Sequence, residues 1–459
     1  MSHFLANPAA AEAMRALIVA AALLTLIWLA EWWRRLWHPP VEWTRKLVHC
    51  GAGLIATLFP YLFGSVWTVL ALGGGLGLFL RLTRRTGMLQ SIHGVDRHSH
   101  GDLYYLAAVL LLFVLGRSWP VFYLVSLLVL ILSDTLAAIL GSAYGRWSYS
   151  VETSRRSAEG SAVFFMATFL CVHLPLLLLT PLDRLAGVLI GLQIALLVTS
   201  FEAISLRGSD NLIVPLATFY LLVKMTPYPA TRIGLLILSE LLILAVVALV
   251  AWRSGLLTVS GTVAAHLFFY GAWALRGPGW ALAPALALAG FLIVNRYTGS
   301  PTRKHSRQYQ VLAVLHVTAV AVALYLLDNT FRTLLPLPPW LRVGQPLYAA
   351  YAGVLAAQLA ILACNRPLSD EESPCRWLLS VMAAFALVVP PALWLVGWNW
   401  GAWIVASGTC LGGVAGYIAL RSCAPSPRGP LSDLRLQTSG IALAALVSVL
   451  VHGALTAGG

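Results

Sequence analysis

Runs of about twenty apolar residues follow one another along the whole chain, broken by short loops that carry Arg, Pro or Gly. A helix of that length matches the hydrocarbon thickness of a bilayer, and a helix satisfies its own backbone groups there. The 459 residues are 59% hydrophobic and only 10% charged, so little is left over for a soluble domain. The chain therefore reads as all-α, a polytopic transmembrane helical bundle of about sixteen spans in two halves. The first span, from about Ala16 to Trp33, ends on Arg34 and Arg35 without a small-residue cleavage site, and is expected to be a retained helix.

The net charge of +13 does not point to nucleic acid, because the 30 Lys and Arg residues are spread through loops and form no basic arm. Their spread follows orientation instead. If the first helix runs from outside to inside, most of them fall in cytoplasmic loops: Arg34, Arg35, Arg45 and Lys46, then Arg81, Arg84, Arg85 and Arg97, then Arg146, Arg155 and Arg156, and later Arg303, Lys304 and Arg307. The expected location is a bacterial inner membrane, with any active site on the cytoplasmic side. Six cysteines without C-x-x-C spacing fit neither a disulfide framework nor a thiolate metal site.

Polar chemistry is concentrated in residues 1–235, whereas 236–459 is mostly Ala, Leu and Val with few acids; these are the two expected domains. Four segments of the first carry the candidate site. Arg45-Lys46-Leu47-Val48-His49 opens the second span, with Arg45 and His49 four apart on one helix face. It serves as a positive-inside anchor or as part of a site, and His49 is more than an anchor requires. Ser91 to Tyr105 gathers His93, His98 and His100 with Asp96 and Asp102, a set open to zinc ligation or to a solvated, substrate-facing loop.

The third segment runs from Ser133-Asp134-Thr135 through Gly141 and Gly145-Arg146 to Arg155-Arg156-Ser157-Ala158-Glu159-Gly160. An unpaired carboxylate such as Asp134 inside an apolar run costs at least about 2.5 kcal/mol, so it is expected to face a cation or a polar cavity. The glycines allow backbone to approach a phosphate chain, the arginines neutralise it, and Asp134 or Glu159 suits Mg²⁺. The plainer alternative is a helix hairpin with an arginine-rich turn and one ion pair. The fourth segment, Glu202 to Pro215, places Glu202 at a helix end at membrane depth and Asp210-Asn211 at the next helix start, as caps or as pocket residues. Acids, arginines and glycines on one side of a bilayer form a kit for phosphoryl or nucleotidyl transfer, and no soluble nucleotide-binding loop competes.

These segments resemble the membrane CTP-dependent lipid-alcohol kinases, which include phytol kinase and dolichol kinase. The resemblance rests on Arg45-Lys46-x-x-His49, Ile92-His93-Gly94-Val95-x-Arg97 leading to Gly101-x-Leu103-Tyr104, Asp134-x-x-Ala137 to Gly145-Arg146, Ser157-x-Glu159-Gly160, and Glu202 to Pro215, in that order over roughly residues 40 to 225. Ser133 precedes the acid where Gly is expected, and Arg155-Arg156 stand in place of lysines. The later half is similar to the membrane family that includes phytyl-phosphate kinase, through Leu257 to Ala265, Gln310-Val311-Leu312 and Trp398 to Gly416. Its acidic motif is missing: Leu355 to Asn365 carries no acid, which leaves this half open as a non-catalytic scaffold, a lipid-binding partner or an altered enzyme.

The resemblance implies phosphorylation of a membrane isoprenoid alcohol, such as phytol or a polyprenol, or of diacylglycerol, with CTP or another nucleoside triphosphate as donor and Mg²⁺ as metal. The expected catalytic residues are Asp134, Glu159, Glu202 and His49, with Asp134 and Glu159 on the metal. Arg45, Lys46, Arg97, Gly145, Arg146, Arg156, Ser157, Gly160, Asp210 and Asn211 are the expected nucleotide- and phosphate-binding set. Two rivals use the same charges or the same spans: a cytidylyltransferase that forms a CDP-lipid, and a lipid or anion transporter or flippase, to which an unpartnered mid-span Glu240 would belong.

Overall fold

The structure is a computed structural model that describes residues 8–86, 89, 101–298, 308–333, 341, 345–365, 374–397, 399–423 and 430–457. Among these, 12 helical segments are long and apolar enough to cross a membrane, which makes the chain a polytopic helical membrane protein. That count is lower than the expected sixteen or so. The helices Val41–Thr57, Gly101–Gly116, Asp210–Met225 and Val259–Arg276 fall short of that length or apolarity. The first carries Arg45, Lys46 and His49 in its first half and the third begins on Asp210 and Asn211, so part of each apolar run is given over to polar side chains.

The chain divides into two compact units, Met1–Leu238 and Ser239–Gly459. The first contains α1 (Pro8–Trp37), α2 (Val41–Thr57), a single turn α3 (Phe59–Leu62), α4 (Val66–Arg85), α5 (Gly101–Gly116) and α6 (Pro120–Leu128). A π turn, Val129–Ser133, joins α6 to α7 (Asp134–Tyr144). A two-stranded hairpin follows, β1 (Ser148–Val151) and β2 (Ser154–Ser157), then α8 (Ala158–Leu179), α9 (Arg184–Ala203), α10 (Asp210–Met225) and the start of α11 (Ala230–Ser254). Its core is built on Phe113, Tyr123, Leu127, Phe164, Ile190 and Leu222.

Because successive helices alternate in direction, the C-termini of α1, α4, α7 and α9 and the N-termini of α2, α5, α8 and α10 meet at one end of this bundle. Arg34, Arg35, Arg84, Arg85, Arg146 and Arg155 lie at that end. The opposite end is tied by Arg15 on the Leu62 carbonyl at 2.7 Å and by Arg117 on the Gly64 carbonyl at 2.5 Å.

The second unit contains the rest of α11, then α12 (Val259–Arg276), α13 (Pro278–Thr298), α14 (Val311–Thr333), α15 (Pro346–Cys364), α16 (Pro374–Val396), α17 (Trp400–Ser422) and α18 (Pro430–Ala457). Alanine-rich α15 is buried continuously from Pro346 to Ile361 and forms the unit's centre. A polar residue inside such a helix needs a partner. Gln358 accepts a hydrogen bond from Gln437, and the Tyr351 hydroxyl donates to the Trp280 carbonyl at 2.8 Å. Gly408, Gly412 and Gly416 of α17 face Ser448, Ala444 and Gly440 of α18, a ladder of small residues that lets the two backbones close up. Glu240 is 1% exposed and is not without a partner, contrary to the unpartnered acid expected at that position.

Candidate functional site

Lys46 lies on the inner face of α2 with Thr44, Gly53 and Ala56 and is 3% exposed. A buried ammonium needs a carboxylate. It meets Asp134 Oδ2, on the first residue of α7. One turn further along α2, His49 Nε2 lies 3.4 Å from the same oxygen and 3.2 Å from the Leu130 carbonyl inside the π turn. π turns recur at functional sites because the extra residue redirects the helix, and this one sits immediately before Asp134.

Two tyrosines fasten α2 in place. Tyr105 of α5 donates its hydroxyl to the His49 carbonyl at 3.0 Å, and its ring centroid lies 4.6 Å from the imidazole. Tyr123 of α6 donates to the Ala56 carbonyl at 2.7 Å. Gly53 is required here: a Cβ at that position would lie 2.7 Å from the Tyr105 hydroxyl.

A second cluster forms around Arg156. In β2 side chains alternate in direction, which leaves Arg155 exposed and turns Arg156 inward. Arg156 Nη1 pairs with Glu202 Oε1 at the end of α9, while Nη2 reaches Ser205 Oγ at 2.6 Å and Asp210 Oδ2 at 3.4 Å. The turn that brings Glu202, Ser205 and Asp210 together passes through Arg207 at φ +52° and Gly208 at φ +85°. Left-handed backbone at a non-glycine residue costs about 1–2 kcal/mol, so packing and hydrogen bonds impose this turn on Arg207. Arg45 connects the clusters: it pairs with Glu42 at 2.5 Å and lies within electrostatic reach of both Asp134 and Asp210.

Other expected site residues stand elsewhere. Glu159 stands in the first turn of α8. Its Oε1 accepts the backbone N–H groups of Arg146 at 2.9 Å and Trp147 at 3.1 Å, and so braces the start of the hairpin, with Arg146 itself exposed. Gly145, Ser157 and Gly160 belong to the seam between α7 and α8 and present no open cradle. Ser157 Oγ accepts from the Gly160 N–H at 3.1 Å and donates to the Gly141 carbonyl, and a Cβ on Gly141 would lie 3.0 Å from Gly160 Cα. These glycines let two helices touch, which a glycine count alone does not distinguish from room for a ligand. Asn211 Nδ2 donates to the Gly101 carbonyl at 3.0 Å and ties α10 to α5. Arg97, with His93, Asp96, His98 and His100, lies outside the described residues.

Glu42, Tyr105, Ser205 and the Leu130 carbonyl were not among the expected site residues. Glu42 was visible as a carboxylate three residues before Arg45, a spacing that pairs charges on a helix. A backbone carbonyl has no sequence signature.

Mg²⁺ usually keeps one or two carboxylates and completes its shell with water and phosphate oxygens. Among the described residues no group of three or more His, Cys, Asp or Glu is poised to hold a metal, and the acids present fit that sparser demand. Lys46 already balances Asp134, whereas Arg156 faces both Glu202 and Asp210 and leaves one negative charge over.

Among proteins of assigned activity, a phytol kinase of Synechocystis sp. is 34% identical to this chain over 217 residues, 46% of this chain and 92% of that protein. No family model matches the chain. No solved structure matches it.

Proposed function

This chain belongs to the phytol kinase family, and from that premise we propose that it transfers the γ-phosphoryl group of CTP to the hydroxyl of a single-chain isoprenoid alcohol at the cytoplasmic face of a bacterial inner membrane. The observation that carries the reading is the meeting of distant segments in two adjoining charge clusters, Lys46–Asp134 and Arg156–Glu202–Asp210, linked electrostatically through Arg45. Phosphoryl transfer needs little covalent help from a protein; it needs positioned cations and a group to receive the proton.

Arg45, Arg156 and Lys46 are the cations for the phosphates. Asp134 takes the proton of the attacking hydroxyl, whose oxygen bonds to the γ-phosphorus as the bond to the β–γ bridging oxygen breaks and the nucleoside diphosphate leaves. Glu202 and Asp210 would hold the nucleotide's Mg²⁺, which supplies charge neutralisation on the phosphates. This replaces Glu159, whose carboxylate is engaged by backbone amides.

Depth favours one class of alcohol. Asp134 begins a helix of 11 residues, so it sits about 15 Å of rise below the helix end. Tyr144 and Trp147, 71% and 78% exposed, mark that end as an aromatic membrane border. A prenol brings only its hydroxyl to such a depth, whereas diacylglycerol must bring two ester groups with it.

Protein purified in detergent is offered labelled CTP or ATP with phytol, farnesol, undecaprenol or diacylglycerol. Transfer is expected to the prenols, with CTP the better donor and with CDP released. Release of pyrophosphate with a cytidylylated lipid would identify a cytidylyltransferase instead. No transfer to any alcohol, with D134N indistinguishable from the parent, would refute the kinase reading.

A further inference from the structure

We propose that His49 is a positioning residue, whose Nε2–H holds Asp134 so that Oδ1 faces the reacting hydroxyl; this rests on the reading of Asp134 as the proton acceptor. Two oxygens lie within reach of Nε2: the Leu130 carbonyl at 3.2 Å and Asp134 Oδ2 at 3.4 Å. The carbonyl can only accept, so Nε2 carries the hydrogen and donates it there, and the same N–H edge faces Asp134 Oδ2 electrostatically at 3.4 Å. Lys46 adds its ammonium to the same Oδ2. The Lys46 hydrogen bond and the imidazole N–H edge therefore both stand against Oδ2, and among the described residues no hydrogen bond is made to Oδ1. A carboxylate clamped at one oxygen has only one face to offer, and that face is Oδ1.

The clamp is stiff because three elements frame the imidazole. The π turn supplies the Leu130 carbonyl. Tyr105 of α5 covers the ring at 4.6 Å with a tilt of 52° and bonds the backbone carbonyl of His49 at 3.0 Å. Gly53 leaves the space that the Tyr105 hydroxyl and the Ile131 side chain occupy. Nε2 carries the hydrogen and is spent on the Leu130 carbonyl, so it is not the nitrogen that could accept a substrate proton. The geometry assigns His49 the work of orienting the base and Tyr105 that of orienting His49.

The test compares H49Q with H49N in full-length protein, with phytol as acceptor. A Gln side chain can place an amide N–H where Nε2 stands; Asn reaches only the Nδ1 position. H49Q is expected to keep most of the parent kcat, and H49N to fall below it by about 10- to 100-fold, as losses of orienting partners do. The KM for CTP should move little in either. If H49Q falls as far as H49N, by about 10²- to 10⁴-fold, His49 handles the proton itself and the proposal is overturned. Y105F is expected to lower kcat in the parent and to have no further effect in H49N, because it acts through His49; equal losses in both backgrounds would remove Tyr105 from the assignment. D134N separates this from the underlying reading: an active D134N refutes the kinase site whatever His49 does, while an inactive D134N beside an inactive H49Q refutes the positioning role alone.

Discussion

A lysine that is 3% exposed needs a carboxylate against it, and the Lys46–Asp134 pair is therefore structural as well as chemical. Removing one partner leaves the other charge stranded, which costs about 3–5 kcal/mol for a buried pair. K46M is thus expected to lower the melting temperature in detergent and to abolish phosphate transfer. The double variant K46M/D134N, with neither charge, should regain most of the melting temperature and none of the activity. That divergence between unfolding and labelled-phosphate assays separates the pair's two roles. Arg156 makes a different case, because a planar guanidinium reaches Glu202, Ser205 and Asp210 together, whereas an ammonium is a point charge. R156K should raise the KM for nucleotide several-fold with a smaller change in kcat, read from initial rates at saturating alcohol. Asp134 and Glu202 were legible in the sequence because charge at membrane depth is expensive and rarely idle, and Lys46 and Arg156 because they stand in basic segments at span ends. Tyr105 was not, since a tyrosine in an apolar helix is equally at home in a core or at an interface.

At the scale of elements, the hairpin and the α7–α8 seam deliver Arg156 to its acids, and the seam depends on Gly141 and Gly160. A side chain at Gly141 would press on Gly160 Cα at 3.0 Å and Ser157 Oγ at 3.1 Å, and overpacking of this kind costs about 1–3 kcal/mol. G141V is expected to lower the melting temperature and to weaken nucleotide affinity, measured by thermal unfolding and by nucleotide titration. G74A is the control, because Gly74 lies within α4 and nothing stands within 4 Å of its added Cβ. There the gain in helix propensity, about 1 kcal/mol, should hold or raise stability with activity unchanged. Sequence alone exposed the helices and their polar ends but misread these glycines, because it cannot show which helix face meets a neighbour. The span count differs at α2 and α10, where charged residues that stand in the clusters shorten the apolar run.

Across the whole molecule, every described residue assigned to phosphate, metal or proton lies between Glu42 and Asp210, inside the first unit. The similarity to a phytol kinase that covers 92% of that protein needs only 46% of this chain. The second unit is held by pairs that look inward: Gln358 with Gln437, and Asp328 with Arg276 at 2.5 Å and Arg332 at 3.1 Å. Its central helix α15 runs through the stretch Leu355 to Asn365 in which a catalytic acid was missed, and it presents alanine there for close packing. A chain of residues 1–254 keeps α11 whole, although the boundary between units falls within that helix. This piece is expected to unfold cooperatively in detergent and to phosphorylate phytol with a kcat close to that of the full chain. Q358L in the full chain should leave Gln437 without its partner and lower the melting temperature by an amount equivalent to about 1–3 kcal/mol, with the same kcat. A folded but inactive 1–254 piece would instead show that the second unit supplies something the transfer needs, and its groups would then have to enter the reaction.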